Sequence, residues 1–259
     1  MSQQQETTGK TLLVAFILCV VCSAIVSTTA VMMKPRQQAE KEQDRIRNIL
    51  AIAGLLQEGV SVQEQFKQIT PKVMDFETGK FTDAMTVEQV LDPKKLTKSD
   101  ATSTELSDEQ DVAKIGRREH YGVVYLVQKE GHLEKIILPI RGYGLWSTLW
   151  GFVALEADLN TVSGFGYYQQ AETPGLGGEV DNPLWKALWP GKQIYNTDHE
   201  VVLKIIKGKV NPTAVDAKHQ VDGLSGATLT SRGVHNMMHF WMGKDGYSAF
   251  LQHLKNGEA

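Results

Sequence analysis

The stretch TLLVAFILCVVCSAIVSTTAVMM, Thr11 to Met33, contains no charge and no proline. About 20 apolar residues in a helix, each rising ~1.5 Å, cross the hydrocarbon core of a bilayer. A run of this length and purity commits the N-terminal part of the chain to a membrane. A cleaved signal peptide is the competing reading, since Thr28, Thr29 and Ala30 are small enough to suit a peptidase. Against it, the uncharged run continues to Met33, and Lys10 is the only basic residue ahead of it. The expectation is a retained transmembrane helix over 11–33, with a short segment, 1–10, before it.

Charge alone leaves the orientation open. Lys34, Arg36, Lys41, Arg45 and Arg47 follow the helix, which by the positive-inside rule puts the remainder in the cytoplasm. The rule loses force for long domains, and Glu40, Glu42 and Asp44 are interleaved with these bases. The chain's two cysteines, Cys19 and Cys22, both lie in the apolar run and share a helix face. They read as small packing residues, and a metal there would need ligands from another chain. The rest of the chain, having no cysteine, builds no disulfide and no iron–sulfur cluster of its own.

Residues 34–57 read as an amphipathic stalk, with Ile46, Ile49, Leu50 and Ala53 at helical spacing. Residues 58–259 form the expected domain. With 259 residues, 42% of them hydrophobic, and a net charge of -3, the chain can bury a real core and lacks the basic excess of a nucleic-acid binder. The pattern predicts a broken strand over 70–81, a polar loop over 98–110, and strands over 122–128, 133–142, 149–157, 162–170 and 201–208. A short helix is expected over 182–189 behind Asn182 as N-cap, and two helices close the chain over 229–242 and 247–254. Strands followed by helices imply an α+β domain with antiparallel strands.

Three runs stand out within it. DGLSGATLTSRGV, Asp222 to Val234, packs four hydroxyl side chains and three glycines into thirteen residues. Thr230, Val234, Met237, Met238 and Trp241 then follow helical spacing, so Ser225-Gly226-Ala227-Thr228 sits at a helix N-terminus. Free N–H groups there favour an anion, and small residues let a ligand approach. Ordinary capping by Ser225 or Thr228 is the alternative. ETPGLGGEV, Glu172 to Val180, makes a bare loop that either lies against a planar ligand or simply turns a hairpin. It is neither a Walker A loop nor a dinucleotide fingerprint, so nothing points to a site for ATP or NADH. RGYGLWS, Arg141 to Ser147, ends a strand with Trp146, which either faces an aromatic ring system or packs in the core. A hydrolase built on Ser225 with His219, His235 or His239 lacks the G-x-S-x-G elbow, and no H-E-x-x-H metal pair exists. No metal site is expected.

Together the three runs resemble the C subunit of the bacterial Na+-translocating NADH:quinone reductase over nearly the whole length. DGLSGATLTS is similar to the flavin-attachment motif D-x-x-[ST]-G-A-T of that family, and GLWS and ETPGLGGEV match its other signature stretches. The G subunit of the Rnf-type ferredoxin:NAD complex shares the attachment motif and is the nearest alternative. A non-redox, membrane-anchored assembly module whose SGAT merely caps a helix is the alternative of another class. The resemblance implies FMN joined to Thr228 by a phosphoester, and Asp222 read by the flavin transferase that installs it. It implies that Trp146, Glu172, Thr173, Leu176 and Gly177 line the isoalloxazine ring, with Ser225, Gly226 and Ala227 at the attachment. Ser225 and Thr230 could add hydrogen bonds there, and Arg232, Lys207 or Lys209 could add charge. It also implies a single-pass subunit of the bacterial inner membrane, its N-terminus cytoplasmic and its large domain periplasmic. That subunit would pass electrons within a six-subunit complex that includes a second FMN-bearing membrane subunit. The complex oxidises NADH, reduces ubiquinone and exports Na+. Partners would bind the NADH and form the sodium path, since the one helix carries no charge to line it.

Overall fold

The computed structural model describes residues 8–259. Residues 1–7, most of the expected segment 1–10, lie outside the described residues. The chain divides into two units, Met1–Arg45 and Ile46–Ala259.

The described residues of the first unit, 8–45, are helical. They form most of α1 (Thr8–Ala53), and residues 8–44 are all exposed. The apolar run is exposed throughout, and the helix is long and apolar enough to cross a membrane. Pro35 removes one backbone hydrogen bond just past that run without ending the helix.

In the second unit the last turns of α1 bury Ile49, Leu50, Ile52 and Ala53 in the core. Of the expected stalk, 34–57, residues 34–53 lie in α1, which ends at Ala53. Gly54 takes a left-handed conformation, and Lys135 Nζ donates to Ala53 O at 3.0 Å. After α2 (Val62–Phe66) come β1 (Ile69–Asp75) and β2 (Lys80–Phe81), the broken strand the sequence suggests. Two short helices follow, α3 (Val87–Val90) and α4 (Pro93–Leu96). The polar stretch 98–110 is not all loop: it contains β3 (Ser103–Glu105), paired antiparallel with β4 (Arg117–Glu119). That pair is held by polar side chains, Arg117 Nε donating to Ser103 Oγ at 2.9 Å, so hydrophobic patterning could not show it.

The body of the domain is one antiparallel sheet ordered β2-β1-β5-β6-β7-β8, with β5 (Tyr121–Lys129), β6 (His132–Tyr143), β7 (Thr148–Glu156) and β8 (Val162–Gln169). Both faces are buried. Val123, Tyr125, Val127, Ile137, Phe152 and Ala154 pack with the end of α1, Val90 and Leu96. The alternate residues Val124, Leu126, Ile136, Leu138, Ile140 and Val153 pack with the C-terminal helices α6 (Thr228–Met242) and α7 (Ser248–Asn256). Period-two alternation therefore separates two apolar layers rather than an apolar and a wet face. Trp241 fixes α6 to the sheet by donating its indole N–H to Arg141 O at 2.6 Å, and Tyr247 ties the turn before α7 to Pro139 O at 2.8 Å.

Between β8 and α6 the chain builds the loops that matter for the site. Asn182 is the expected N-cap, accepting from Leu184 N at 2.9 Å, but the helix expected over 182–189 is shorter, α5 (Pro183–Lys186). The strand expected over 201–208 shrinks to β9 (Lys204–Ile205), parallel to β10 (Gln220–Val221). Val202 and Leu203 bond to Ile194 O instead, and Gly208 turns the chain at a positive φ, so only two residues remain in ladder register.

Candidate functional site

The hydroxyl-rich run divides in two. Thr230 and Ser231 are buried and committed: Thr230 Oγ1 donates to Glu172 Oε2 at 2.8 Å, and Ser231 Oγ accepts from Leu224 N at 2.9 Å. Ser225 and Thr228 are exposed. Neither caps α6; its N-cap residue is Ala227, and no side-chain cap bond is made. The helix therefore starts with backbone N–H groups that no side chain covers, immediately after a left-handed Gly226. Thr228 projects its hydroxyl with no hydrogen-bond partner among the described residues. All five residues of the expected apolar stripe, Thr230, Val234, Met237, Met238 and Trp241, are buried.

Glu172 joins the other two runs to this helix. Its carboxylate accepts from the backbone N–H groups of Leu145, Trp146 and Ser147 at 3.1, 3.0 and 3.1 Å, from Ser147 Oγ at 3.1 Å, and from Thr230 Oγ1 at 2.8 Å. Only 5% of Glu172 is exposed, and no basic side chain pairs with it among the described residues. Burial alone pushes its carboxyl up. The bonds from Trp146, Thr230, Leu145 and Ser147 outweigh burial and hold it below the ordinary carboxylate value. Glycines let the parts close. A Cβ on Gly177 would lie 2.5 Å from Thr230 Oγ1, and one on Gly144 would lie 2.6 Å from Glu172 Oε1.

Around this buried anion the surface is apolar. Trp146 is 67% exposed and Leu176 45%, and Leu176 comes against Gly226, where a Cβ would meet its Cδ2 at 3.0 Å. Trp146 is thus not a core residue. Thr173 is exposed beside Glu172, Gly177 is buried beneath, and Ala227 is buried at the helix start. The structure brings together Trp146, Glu172, Leu176, Gly177, Gly226 and Thr230 through these contacts.

The opposite side of the Thr228 turn is a cavity of about 320 Å³. It is lined by Thr228, Arg232 and His235 from α6, and by Lys204 and Lys207 from the facing chain. Lys207 and Arg232 stand where the sequence placed candidate charge; Lys209 does not line the cavity, and Lys204, not singled out in the sequence, does. Burial pushes the His235 imidazole down to about 4, with His239 and Lys204 acting the same way, so it is neutral at neutral pH. Asp222 does not line this cavity; its Oδ1 accepts from Val210 N, and its backbone carbonyl accepts from Trp185 Nε1, each at 2.8 Å.

A serine hydrolase is not built here. His219 Nδ1 and His239 Nε2 each lie 2.8 Å from a backbone carbonyl, of Gln193 and Leu203, and none bonds Ser225. No cluster of metal-ligating side chains occurs among the described residues.

Residues 144–243 match the family described as FMN-binding domain, a span that includes all three runs' central residues. The chain is 54% identical to the C subunit of the Na(+)-translocating NADH-quinone reductase of Pseudomonas aeruginosa, over 98% of this chain and 99% of that one. It is 45% identical to the protein of the same name from Vibrio anguillarum, over 99% of both chains. The crystal structure of Shewanella oneidensis NqrC superposes with a TM-score of 0.77 at 34% identity, covering 84% of this chain and 99% of that one.

Proposed function

The chain belongs to the family of C subunits of the Na+-translocating NADH:quinone reductases and carries an FMN-binding domain, and from that premise we propose that Thr228 holds FMN through a phosphoester. The carrying observation is the division of the hydroxyls. Thr230 and Ser231 are spent on packing; of the two exposed hydroxyls, Thr228 and not Ser225 lines the cavity that holds Lys204, Lys207 and Arg232, at an uncapped helix start. The residues around it suit both ends of the cofactor. Trp146 and Leu176 offer apolar surface to a planar ring, with Thr173 and Gly177 in the same loop. Ser225, Gly226 and Ala227 keep the approach to the helix start open. Lys204, Lys207 and Arg232, with the helix N-terminus, favour the charge a phosphodiester retains.

FMN supplies the electron-accepting chemistry when bound. The protein's part is to hold it, to shield one side from water and to set its electrostatic surroundings. Neutral His235 adds no charge to the cationic cavity, which leaves Lys204, Lys207 and Arg232 to determine its sign. In this reading the protein relays electrons between redox centres of a six-subunit complex as NADH is oxidised, ubiquinone reduced and Na+ exported. A second FMN-bearing membrane protein is among its partners. A flavin transferase installs the cofactor and reads Asp222, whose Oδ1 bond to Val210 also shapes the loop the transferase meets.

The domain lies on the periplasmic side of the inner membrane, where a dissociating cofactor would be lost and a covalent bond prevents the loss. Protection of the domain from protease added to intact spheroplasts would contradict that orientation. Attachment is tested by peptide mass mapping. Cleavage after Lys218 and Arg232 releases the peptide 219–232, which should carry the mass of FMN less one water, with fragment ions placing it on Thr228. An adduct on Ser225 or Thr230, or none from cells containing active transferase, removes the assignment.

A further inference from the structure

We propose that Glu172 is the positioning residue of the flavin site, a buried anion that clamps the Trp146 loop to α6 and keeps the potential of the bound flavin low. The inference rests on the FMN reading and extends it to what sets the cofactor's energy. Its basis is geometric. A single carboxylate takes hydrogen bonds from three consecutive backbone N–H groups, from Ser147 Oγ on the same loop and from Thr230 on α6. Those donors come from segments 25 to 58 residues away in sequence, so Glu172 bridges the turn between β6 and β7, itself closed by Gly144 N donating to Ser147 O at 2.8 Å, to the first turn of α6. Through Trp146 N it sets where the exposed indole stands, and through Thr230 it sets where the Thr228 turn stands relative to that indole.

The clamp is also a charge. A carboxylate satisfied by hydrogen bonds and unpaired with a cation keeps its field in a poorly screened interior. Burial first, then the charge of Asp181 and last that of Glu172, pushes the Tyr167 hydroxyl well above its ordinary value. Leu176 and Trp146, the apolar surfaces offered to the ring, are within one hydrogen bond or a few residues of the same carboxylate. Reduction adds electrons to the ring, and a fixed anion nearby opposes it.

Two substitutions separate position from charge. Glu172→Gln keeps the shape: the amide oxygen still accepts from the loop, and the amide nitrogen donates to Thr230, whose hydroxyl can accept instead. Thr230→Val keeps the charge and removes the link to α6. The full chain, made together with its flavin transferase, is purified in detergent. Three things are read: covalent flavin on a denaturing gel, midpoint potential by spectroelectrochemical titration, and visible circular dichroism of the flavin. Glu172→Gln should stay loaded, with a more positive potential and a dichroism band near wild type. Thr230→Val should stay loaded, with an altered dichroism band and a smaller shift in potential. Loaded variants with wild-type potential and wild-type dichroism overturn the inference. Should Glu172→Gln fail to fold, an unchanged dichroism band in Thr230→Val overturns it alone. A wild-type chain that takes up no flavin is a different result, which removes the FMN reading and this inference with it.

Discussion

Helix α6 presents two faces of opposite character within its first three turns. Thr228, Arg232 and His235 face an open, cationic cavity, while Thr230, Gly233 and Met237 press against the loop before β7 and the sheet. At 3.6 residues per turn the two sets lie on opposite sides of one helix. The closed face surrounds an anion held only by hydrogen-bond donors; the open face gathers lysines and arginine around a neutral histidine. A ligand that is planar and apolar at one end and anionic at the other would meet exposed Trp146 and Leu176, outside the closed face, and the cationic cavity of the open one. The closed face is made by packing and should fail through stability. The open face is made by charge and should fail through ligand capture.

The largest effect expected is on the closed face. Gly177→Val places a Cβ 2.5 Å from Thr230 Oγ1 and 2.7 Å from Glu172 Oε2. Overpacking of this kind costs about 1–3 kcal/mol, read as a melting temperature lower by roughly 2–4 °C per kcal/mol for a domain of this size. An unchanged melt would mean that the loops do not close on each other as described.

Acid should act on the two faces in different windows. His235 is neutral in the fold with its pKa lowered to about 4, so the unfolded chain takes up a proton first. Stability from that source is lost as pH falls from the ordinary histidine value towards 4. Glu172 is held ionised in the fold, so its contribution is present above the ordinary carboxylate value and is lost only as pH falls further, through its lowered pKa. Denaturant titrations across this range should show the first loss disappear in His235→Gln and the second disappear in Glu172→Gln.

On the open face, Arg232→Ala combined with Lys207→Ala should leave stability within about 1 kcal/mol, since the changes remove surface charge and no packing. It should slow flavin loading several-fold, measured as flavin absorbance per protein over time. A normal loading rate would show that the cavity's charge plays no part in capture. The smallest effect on stability is expected from Trp146→Ala, about 0.5 kcal/mol or less because the indole is 67% exposed. The flavin absorption band should nevertheless move while attachment persists. An unmoved band would separate Trp146 from the ring.

Much of this was legible in the residue pattern. The stripe Thr230, Val234, Met237, Met238 and Trp241 identified α6 and its buried side, because helical periodicity survives any tertiary context that buries one face. The glycine-rich run at 172–180 was legible as a bare loop, whereas Trp146 in the run 141–147 could be read equally as a core residue. The partnership between them was not: an acid beside Pro174 carries no sign that its lone pairs will be filled by N–H groups of Leu145, Trp146 and Ser147. Lys204 was hidden for a similar reason, since a basic residue in an apolar stretch reads as the wet side of a strand; paired with Gln220 in a two-residue parallel ladder, it lines the same cavity as Thr228. The β3–β4 pair escaped notice because polar contacts rather than alternation hold it.

The most direct test is a denaturing gel viewed for flavin fluorescence, with the full chain and its Thr228→Ala variant each produced alongside active flavin transferase. A fluorescent wild-type band beside a dark Thr228→Ala band of equal protein is the expected result. A fluorescent Thr228→Ala band, or a dark wild-type band while a control substrate is labelled, would contradict the assignment of Thr228 as the point where FMN is held.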